Sequence, residues 1–264
     1  MNFTDDLARI ARALDAAERV LRDFTPGAVV AAKKAGGDPL TEADLVVNRV
    51  LHETLPQAGE GWLSEETVDD AERLTKSRVW IVDPIDGTKE FVEGLPEWGV
   101  SIGLVIDGVP VAGGVLNPQA GERVIGARGH GVTLNGARAT TKSVGALAGA
   151  EILASRSEMK RGEWDRFSDM GFVVKPMGSV AYKLARVAAG LSDATWTLVP
   201  KNEWDVAAGV ALVVEAGGRA VLPDGRTRVF NQKDTLLPGL VTVPSSWMTT
   251  LQELGVLPRG EVAS

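Results

Sequence analysis

Cysteine is absent from the 264 residues of the chain, and histidine occurs only at His52 and His130. Without cysteine the protein can form no disulfide, no thiolate nucleophile and no zinc–thiolate cluster. Only the two histidines could offer an imidazole ligand. Any metal site is therefore expected to be held by oxygen atoms.

The chain also lacks an excess of basic residues, since its formal charge is −7 and its pI is about 5.0. This balance argues against binding a nucleic acid polymer, which needs a field of Lys and Arg that displaces counterions. A charge of −7 alone is explained by solubility. An acidic protein can still handle an anionic substrate where bound divalent cations reverse the local charge.

Long hydrophobic runs are missing as well. The longest strongly apolar run, Val206–Val214, is far too short to cross a bilayer, and the amino terminus carries Asp5 and Asp6 in place of a basic region. We therefore expect a cytoplasmic protein without membrane insertion. With 44% hydrophobic residues the chain can bury a large core, in one domain or in two lobes that share a cleft.

Hydrophobic periodicity predicts an α/β (α+β) fold in two parts, residues 1–145 and 146–264, with the boundary in the Ser-, Gly- and Ala-rich stretch Lys142–Ala150. In the first part we expect helices over Asp5–Asp23 and Thr41–Thr54, and strands over Trp62–Ser64, Val79–Asp83, Val100–Ile106, Val109–Leu116, Glu122–Ala127 and Val132–Leu134. In the second part, strands over Glu151–Ala154, Phe172–Lys175 and Ala194–Leu198 alternate with helices over Lys160–Met170, Ser179–Ala189 and Asp205–Ala216.

The segment Trp80–Phe91, WIVDPIDGTKEF, ends an apolar run in two carboxylates, Asp83 and Asp86. Pro84 removes a backbone donor and predicts that the strand stops at Asp83. Gly87 then allows a tight turn that brings both carboxylates close to free backbone amides. Asp-Pro and Asp-Gly are also ordinary turn dipeptides. A cation site and a purely structural turn are therefore both open from this segment alone.

Other acidic residues occupy comparable positions. Glu65 and Glu66 follow a short strand, Asp44 lies in the first turn of a predicted helix, and Asp205 begins a helix that is apolar on nearly every face. Each has an ordinary structural explanation, as a solvated strand edge, a helix-dipole partner or a helix cap.

Together these segments resemble a known family. SEE at Ser64–Glu66, WIVDPIDGT at Trp80–Thr88, and WDVAAG followed by EAGG within Trp204–Gly218 are similar, in order and spacing, to the three signatures of the inositol monophosphatase superfamily. The members of this superfamily are lithium-sensitive, magnesium-dependent phosphatases, and the resemblance implies the same activity for this chain. It also implies a layered αβαβα sandwich of two lobes, with the site in the cleft between them.

The resemblance further implies two or three Mg²⁺ ions. The ligands of the first would be Glu65, Asp83 and the carbonyl of Ile85, and those of the second Asp83, Asp86 and Asp205. Glu65 would also help to position a third. Small hard cations of this kind prefer oxygen ligands and leave positions open for substrate phosphate.

For catalysis, the resemblance implies that Asp44 and Thr88 orient and deprotonate the attacking water. The amides of Gly87 and Thr88 would receive the phosphate oxygens, and Asp205 would also contact the substrate.

The continuation Lys89–Phe91 resembles the 3'(2'),5'-bisphosphate nucleotidase branch of the superfamily, called CysQ in bacteria. Lys89 would then contact a second phosphate, and Ser179 and Lys183 the nucleotide. The helix from Gly178 to Gly190 is one residue longer than in that branch and agrees better with inositol monophosphatases. Leu198, however, stands where inositol monophosphatases have an acidic residue for the sugar alcohol, which disfavours inositol.

The leading hypothesis is hydrolysis of adenosine 3',5'-bisphosphate to AMP and phosphate, by a monomer or homodimer. The alternative of the same class is hydrolysis of inositol 1-phosphate or a related sugar phosphate. A binding protein without turnover is a third possibility, although it would have no need of the pair Asp44 and Thr88.

Overall fold

The computed structural model describes residues 2–33, 39–142 and 147–258. In these ranges the helices are α1 (Thr4–Leu21), α2 (Glu42–Thr54), α3 (Thr88–Glu93), α4 (Arg156–Lys160), α5 (Val180–Ala188), α6 (Glu203–Glu215) and α7 (Met248–Glu253). The strands are β1 (Ala31–Lys33), β2 (Pro39–Thr41), β3 (Gly61–Ser64), β4 (Arg78–Asp86), β5 (Gly99–Ile106), β6 (Val109–Asn117), β7 (Glu122–Ala127), β8 (Gly131–Leu134), β9 (Ala137–Ala139), β10 (Glu151–Ser155), β11 (Val173–Met177), β12 (Ala194–Thr197), β13 (Lys201–Asn202), β14 (Gly218–Val221), β15 (Leu236–Leu237) and β16 (Leu240–Pro244). The predicted division between residues 145 and 146 lies outside the described residues.

Two larger sheets organise the chain. The first has the order β3-β4-β5-β6-β7-β8-β9, in which only the pair β3 and β4 is parallel. The second has the order β11-β10-β12-β16-β14, in which β10, β11 and β12 are parallel and β16 runs antiparallel to its neighbours. The alternation of strands and helices predicted for the second part is confirmed, and the strands of the first part form a largely antiparallel sheet.

The elements stack in five layers. Helices α1 and α2 cover one face of the first sheet, while α5 and α6 lie between the two sheets. On the far face of the second sheet, Trp164, Phe167 and Leu251 of α7 close an outer apolar cluster with Trp196. This is the predicted αβαβα sandwich. No helix in the described part of the chain is long and apolar enough to cross a membrane.

Helix α6 is buried between the sheets, which explains why its sequence is apolar on nearly every face. It lies directly on the first sheet because glycine faces it there. A Cβ atom added at Gly103 would be 2.9 Å from the backbone N of Ala208, and one added at Gly113 would be 2.5 Å from the carbonyl O of Ala208. This contact brings the first turn of α6 to the end of β4.

The predicted helix Lys160–Met170 is wrong. The chain forms the short helix α4 and then a series of turns, most of them closed by an amide that bonds to the carbonyl three residues earlier, including a 3₁₀ turn at Asp165–Phe167. Gly162, with φ of +76°, separates them. Trp164, Phe167 and Met170 recur at helical spacing, but they reach the outer cluster from these turns.

The predicted end of β4 at Asp83 is also wrong. The strand continues to Asp86, with a register shift between the pair Asp83–Ser101 and the pair Asp86–Gly99. A β-bulge of this kind accommodates Pro84, since an unpaired position needs no backbone donor.

A buried charge network closes the first sheet against α1. The carboxylate of Glu60 accepts hydrogen bonds from Arg9, from Nε of Arg78 at 3.0 Å, from Nε1 of Trp80 at 2.9 Å and from the backbone N of Gln57 at 3.0 Å. Burial alone would raise the pKa of Glu60, but these hydrogen bonds outweigh it and lower the pKa from 4.5 to about 2. The ionised form of Glu60 therefore stabilises the fold.

Replacing Glu60 by glutamine is expected to lower the free energy of unfolding at pH 7 by about 3 kcal/mol, because Arg9 and Arg78 lose a charged partner. A depressed carboxyl pKa contributes stability that is fully present above about pH 4.5 and is lost as the pH falls toward 2. The difference between wild type and Glu60→Gln should therefore be constant above about pH 5 and shrink below it. Urea unfolding at a series of pH values measures this difference. An equal difference at pH 3 and pH 7 would show that ionisation of Glu60 is not its source.

Candidate active site

The two carboxylates of the DPIDGT segment lie at the bulged end of β4, and both are buried. Oδ1 of Asp83 accepts a hydrogen bond from the backbone N of Ile85 at 3.0 Å, which fixes the turn between the carboxylates. Gly87 follows with φ of +91°, and a Cβ atom there would be 3.0 Å from the carbonyl O of Glu97. Glycine is thus needed both for the backbone angle and for the space.

Two further elements bring carboxylates to this point. Glu65 follows the end of β3, and Asp205 lies in the first turn of α6. Glu65, Asp83 and Asp205 each offer an oxygen within 4.8 Å of the others. The structure therefore brings together residues as far apart in the sequence as Glu65 and Asp205, which are 140 positions apart.

The electrostatics of this group are those of an anionic cluster that favours a cation. Burial, followed by the charges of Glu65, Asp86 and Asp205, raises the pKa of Asp83 well above its ordinary value. Burial and the charge of Asp86 raise the pKa of Asp205 to about 8. A divalent cation would relieve this repulsion, and a donor set made only of oxygen fits a hard cation such as Mg²⁺.

Asp86 is held by the start of α5. Its Oδ2 accepts hydrogen bonds from Oγ of Ser179 and from the backbone N of Ala181, both at 2.5 Å. Burial raises the pKa of Asp86, and these two bonds offset part of that increase. Ser179 also caps α5, because its Oγ accepts a hydrogen bond from the backbone N of Tyr182 at 3.0 Å.

Asp44 and Thr88 are in contact, as expected for a pair that acts together. Oγ1 of Thr88 lies 3.1 Å from Oδ1 of Asp44 and 2.9 Å from the carbonyl O of Ile85. Oδ2 of Asp44 accepts hydrogen bonds from Oγ1 of Thr41 at 2.6 Å and from its backbone N at 2.8 Å. These bonds form a capping box at α2, so the cap orients Asp44 toward Thr88.

Asp205 is fixed by the same device. It is the third residue of α6, and its Oδ2 accepts a hydrogen bond from the backbone N of Asn202 at 2.8 Å, within a second capping box. The structural role expected for Asp205, a helix cap, belongs instead to Asn202. A capping box occupies one carboxylate oxygen at the helix start and directs the carboxyl group to a defined place.

A cavity of about 290 Å³ opens over these groups. Its lining contains every predicted site residue except Asp44, which lies behind Thr88: Glu65, Asp83, Ile85, Asp86, Gly87, Thr88, Lys89, Ser179, Lys183 and Asp205. The lining is strongly charged, because among the described residues six carboxylates and four cationic side chains face it.

The two predicted substrate lysines differ in their surroundings. Lys89 is exposed at the rim, whereas Lys183 is buried, with its Nζ donating to the carbonyl O of Met177 at 3.2 Å. Burial lowers the pKa of Lys183 to about 8, and the charge of Asp86 partly opposes this decrease. Lys183 therefore stabilises the turn before α5 as well as lining the cavity.

Sequence reasoning missed Arg156 and Glu90, and it gave no role to Lys201; all three line the cavity. Arg156 directly follows β10, just as Glu65 directly follows β3. The position of Arg156 directly after a predicted strand could therefore have indicated that it lies at the site.

Comparison with known proteins places these features in a family. The model of the inositol monophosphatase family matches residues 4–254. Inositol monophosphatase 2 of Solanum lycopersicum is 34% identical over 236 residues, which cover 78% of this chain and 89% of the relative.

Solved structures agree with this assignment. The IMPase of Thermotoga maritima is 26% identical, with a TM-score of 0.83 over 96% of this chain and 97% of its own. CysQ of Bacteroides thetaiotaomicron, a bacterial member of the inositol monophosphatase family, is 24% identical, with a TM-score of 0.76 over 92% and 98%. At that identity, the likeness to CysQ concerns the fold alone.

Proposed function

The chain belongs to the inositol monophosphatase family and is a phosphoric monoester hydrolase, and from that premise we propose that it uses Mg²⁺ and an activated water to cleave a phosphate ester carrying a second phosphate. The observation that supports this best is the buried cluster of Glu65, Asp83 and Asp205 beside the contact between Asp44 and Thr88. A binding protein would not need that second pair.

The carboxylates of Glu65, Asp83, Asp86 and Asp205, together with the carbonyl of Ile85, would hold the cations. When bound, Mg²⁺ supplies charge that activates a water and stabilises the leaving oxygen. The cluster fits this role because its like charges are costly when buried without a cation.

The protein's own groups would orient the water and the phosphate. The one hydroxyl hydrogen of Thr88 can be donated to the carbonyl O of Ile85 or to Oδ1 of Asp44. When it is donated to Asp44, the Thr88 oxygen is left to accept a hydrogen bond from the attacking water. Asp44 in this way sets the direction of the Thr88 hydroxyl. The amides of Gly87 and Thr88, at the start of α3, would bind the phosphate oxygens.

Adenosine 3',5'-bisphosphate is the substrate that we propose. Four cationic side chains face the cavity among the residues described: Lys89, Arg156, Lys183 and Lys201. Arg156 is paired with Glu97, and Lys183 donates to the carbonyl O of Met177, so Lys89 and Lys201 are the two of these cations that we assign to a second phosphate. Leu198, an apolar residue on the loop leading to Lys201, offers no carboxylate to a sugar alcohol.

Inositol 1-phosphate is the second candidate, and the relatives favour it. The tomato protein at 34% identity and a Rhizobium meliloti protein at the same identity are named as inositol monophosphatases. Their names describe those proteins, and the residues that contact the alcohol can differ between them and this chain.

Phosphate release from a panel of esters tests the proposal. Adenosine 3',5'-bisphosphate, inositol 1-phosphate and fructose 1,6-bisphosphate should be compared by kcat/KM with and without Mg²⁺. The nucleotide should have the highest kcat/KM, and Li⁺ should inhibit. A higher value for inositol 1-phosphate would replace the leading substrate by the second candidate. Absence of Mg²⁺-dependent release from every ester would overturn the reaction itself.

Replacing Lys89 by alanine should raise the KM for adenosine 3',5'-bisphosphate about fivefold and leave the KM for inositol 1-phosphate nearly unchanged. The effect is modest because Lys89 is exposed, so water screens its charge. Lys76, which lies away from this cavity, offers a matched control as Lys76→Ala. An equal rise in KM for bisphosphate and monophosphate substrates would show that Lys89 is only a solvated residue at the rim of the cavity.

A further inference from the structure

Glu97 joins three segments that are distant in the sequence. Its Oε2 accepts hydrogen bonds from the backbone N of Gly178 at 2.7 Å and from Nε of Arg156 at 2.8 Å, and its Oε1 accepts one from Nη2 of Arg156. The side chain of Glu97 is only 14% exposed. A bidentate arginine–carboxylate pair is among the most directional contacts in proteins, and here it also receives a backbone donor. The contact is called the Glu97 clamp below.

The clamp holds a strained turn. Ser179 has φ of +49° and ψ of 120°, an unfavourable conformation for a residue with a side chain. Such strain persists only where neighbouring groups fix the backbone. Two contacts fix the backbone just before Ser179. The carboxylate of Glu97 accepts a hydrogen bond from the amide of Gly178, and the ammonium of Lys183 donates to the carbonyl of Met177.

The same turn orients Asp86. Oγ of Ser179 and the backbone N of Ala181 both donate to Oδ2 of Asp86 at 2.5 Å. The turn packs closely against the residue that follows β4. A Cβ atom added at Gly87 would be 3.0 Å from the carbonyl O of Glu97 and 3.3 Å from Cβ of Ser179. A shift of the turn is therefore transmitted to Asp86.

We propose that Glu97 is a positioning residue that sets the cation affinity of the site through Gly178, Ser179 and Asp86. Glu97 itself does not line the cavity. The inference rests on the proposed function, in which Asp86 is a ligand of the catalytic cation. It adds that a carboxylate outside the ligand set controls how well that ligand is presented.

Isothermal titration of Mg²⁺ into the metal-stripped full chain, without substrate, tests this proposal. Glu97→Gln keeps the shape of the side chain but removes the charge that binds Arg156 and Gly178. It should raise the Kd for Mg²⁺ about tenfold, as is usual when a group that orients a metal ligand is lost. Glu93→Gln is the matched control, because this substitution removes the same charge. Glu93 is an exposed carboxylate that lines the same cavity. It should change the Kd by less than about twofold.

Hydrogen exchange supplies a readout that does not depend on the cation. The amides of Gly178 and Ala181 should exchange faster in Glu97→Gln than in wild type or in Glu93→Gln, because the clamp no longer holds the turn. If Glu97→Gln fails to fold, Glu97→Asp keeps the charge but shortens the reach, and it should show the same two effects.

The outcomes separate this inference from the proposed function. Wild type that binds no Mg²⁺ would overturn the proposed function and the inference with it. Wild type that binds Mg²⁺, with Glu97→Gln at the same Kd, would overturn the inference alone. Equal losses in Glu97→Gln and Glu93→Gln would also overturn it, because the cavity's net charge would then explain the effect.

Discussion

Asp83→Asn should lower kcat/KM for Mg²⁺-dependent phosphate release at least about a thousandfold while the fold survives. Asp83 lies among the charges of Glu65, Asp86 and Asp205, and we propose that it binds both cations. Asparagine has nearly the same shape, but its neutral amide is a much weaker ligand for a divalent cation. Steady-state kinetics over a range of Mg²⁺ concentrations measures the loss. A fully active Asp83→Asn would remove Asp83 from the ligand set.

The same substitution should have the opposite effect on stability when no cation is bound. The raised pKa of Asp83 shows that the folded, metal-free protein disfavours its charged form, first through burial and then through repulsion by neighbouring carboxylates. Because a raised carboxyl pKa makes the folded state bind more protons than the unfolded state, this penalty grows as the pH rises above the ordinary carboxyl range.

Metal-free Asp83→Asn should therefore melt about 2–4 °C above metal-free wild type at pH 7, corresponding to about 1 kcal/mol. Saturating Mg²⁺ should stabilise the wild type and have little effect on the variant. Glu66→Gln is the control, since Glu66 is a neighbour of Glu65 in the sequence but does not line the cavity. Loss of stability in both variants without metal would contradict the repulsion argument.

Much of the fold could be predicted from local sequence, whereas the residues of the candidate site were predicted as a set only through the resemblance of three segments to one family. Glu65 directly follows a short strand, Asp83 ends the apolar run of β4 at the bulge, and Asp205 lies in the first turn of a helix with apolar residues on nearly every face. Strand ends and helix starts are the places where a fold exposes polar groups over a core. Local sequence therefore indicated where polar groups would lie, and the resemblance indicated which of them would lie together.

The errors arose where local pattern and tertiary packing disagree. Trp164, Phe167 and Met170 have helical spacing, yet turns separated by Gly162 bring them to the outer cluster. Periodicity reports which residues are buried and leaves open which backbone conformation buries them. Pro84 likewise predicted a strand end, while a bulge allows the strand to continue to Asp86.

Long-range polar contacts were beyond prediction for a different reason. Glu97 is 59 residues from Arg156 and 81 residues from Gly178, and nothing in the sequence near any of them indicates the pairing. The pairing depends on how the layers stack. The Glu97 clamp shows why the ligands of such a site are easier to predict than the residues that orient them.

Thr88→Val should lower kcat about a hundredfold to a thousandfold and leave the Kd for Mg²⁺ unchanged, because it removes a water-orienting hydroxyl and no proposed metal ligand. Valine matches threonine in shape, so the buried position stays filled.

Thr88→Ser is the control, because it keeps the hydroxyl that lies 3.1 Å from Asp44 Oδ1, and it should retain kcat within about tenfold. Because we propose that Asp44 acts through Thr88, the loss of kcat in the double variant Asp44→Asn, Thr88→Val should be far smaller than the product of the two single losses. Single-turnover kinetics, with titration of Mg²⁺, separates these effects. Full turnover in Thr88→Val would show that the contact between Asp44 and Thr88 serves the helix cap alone.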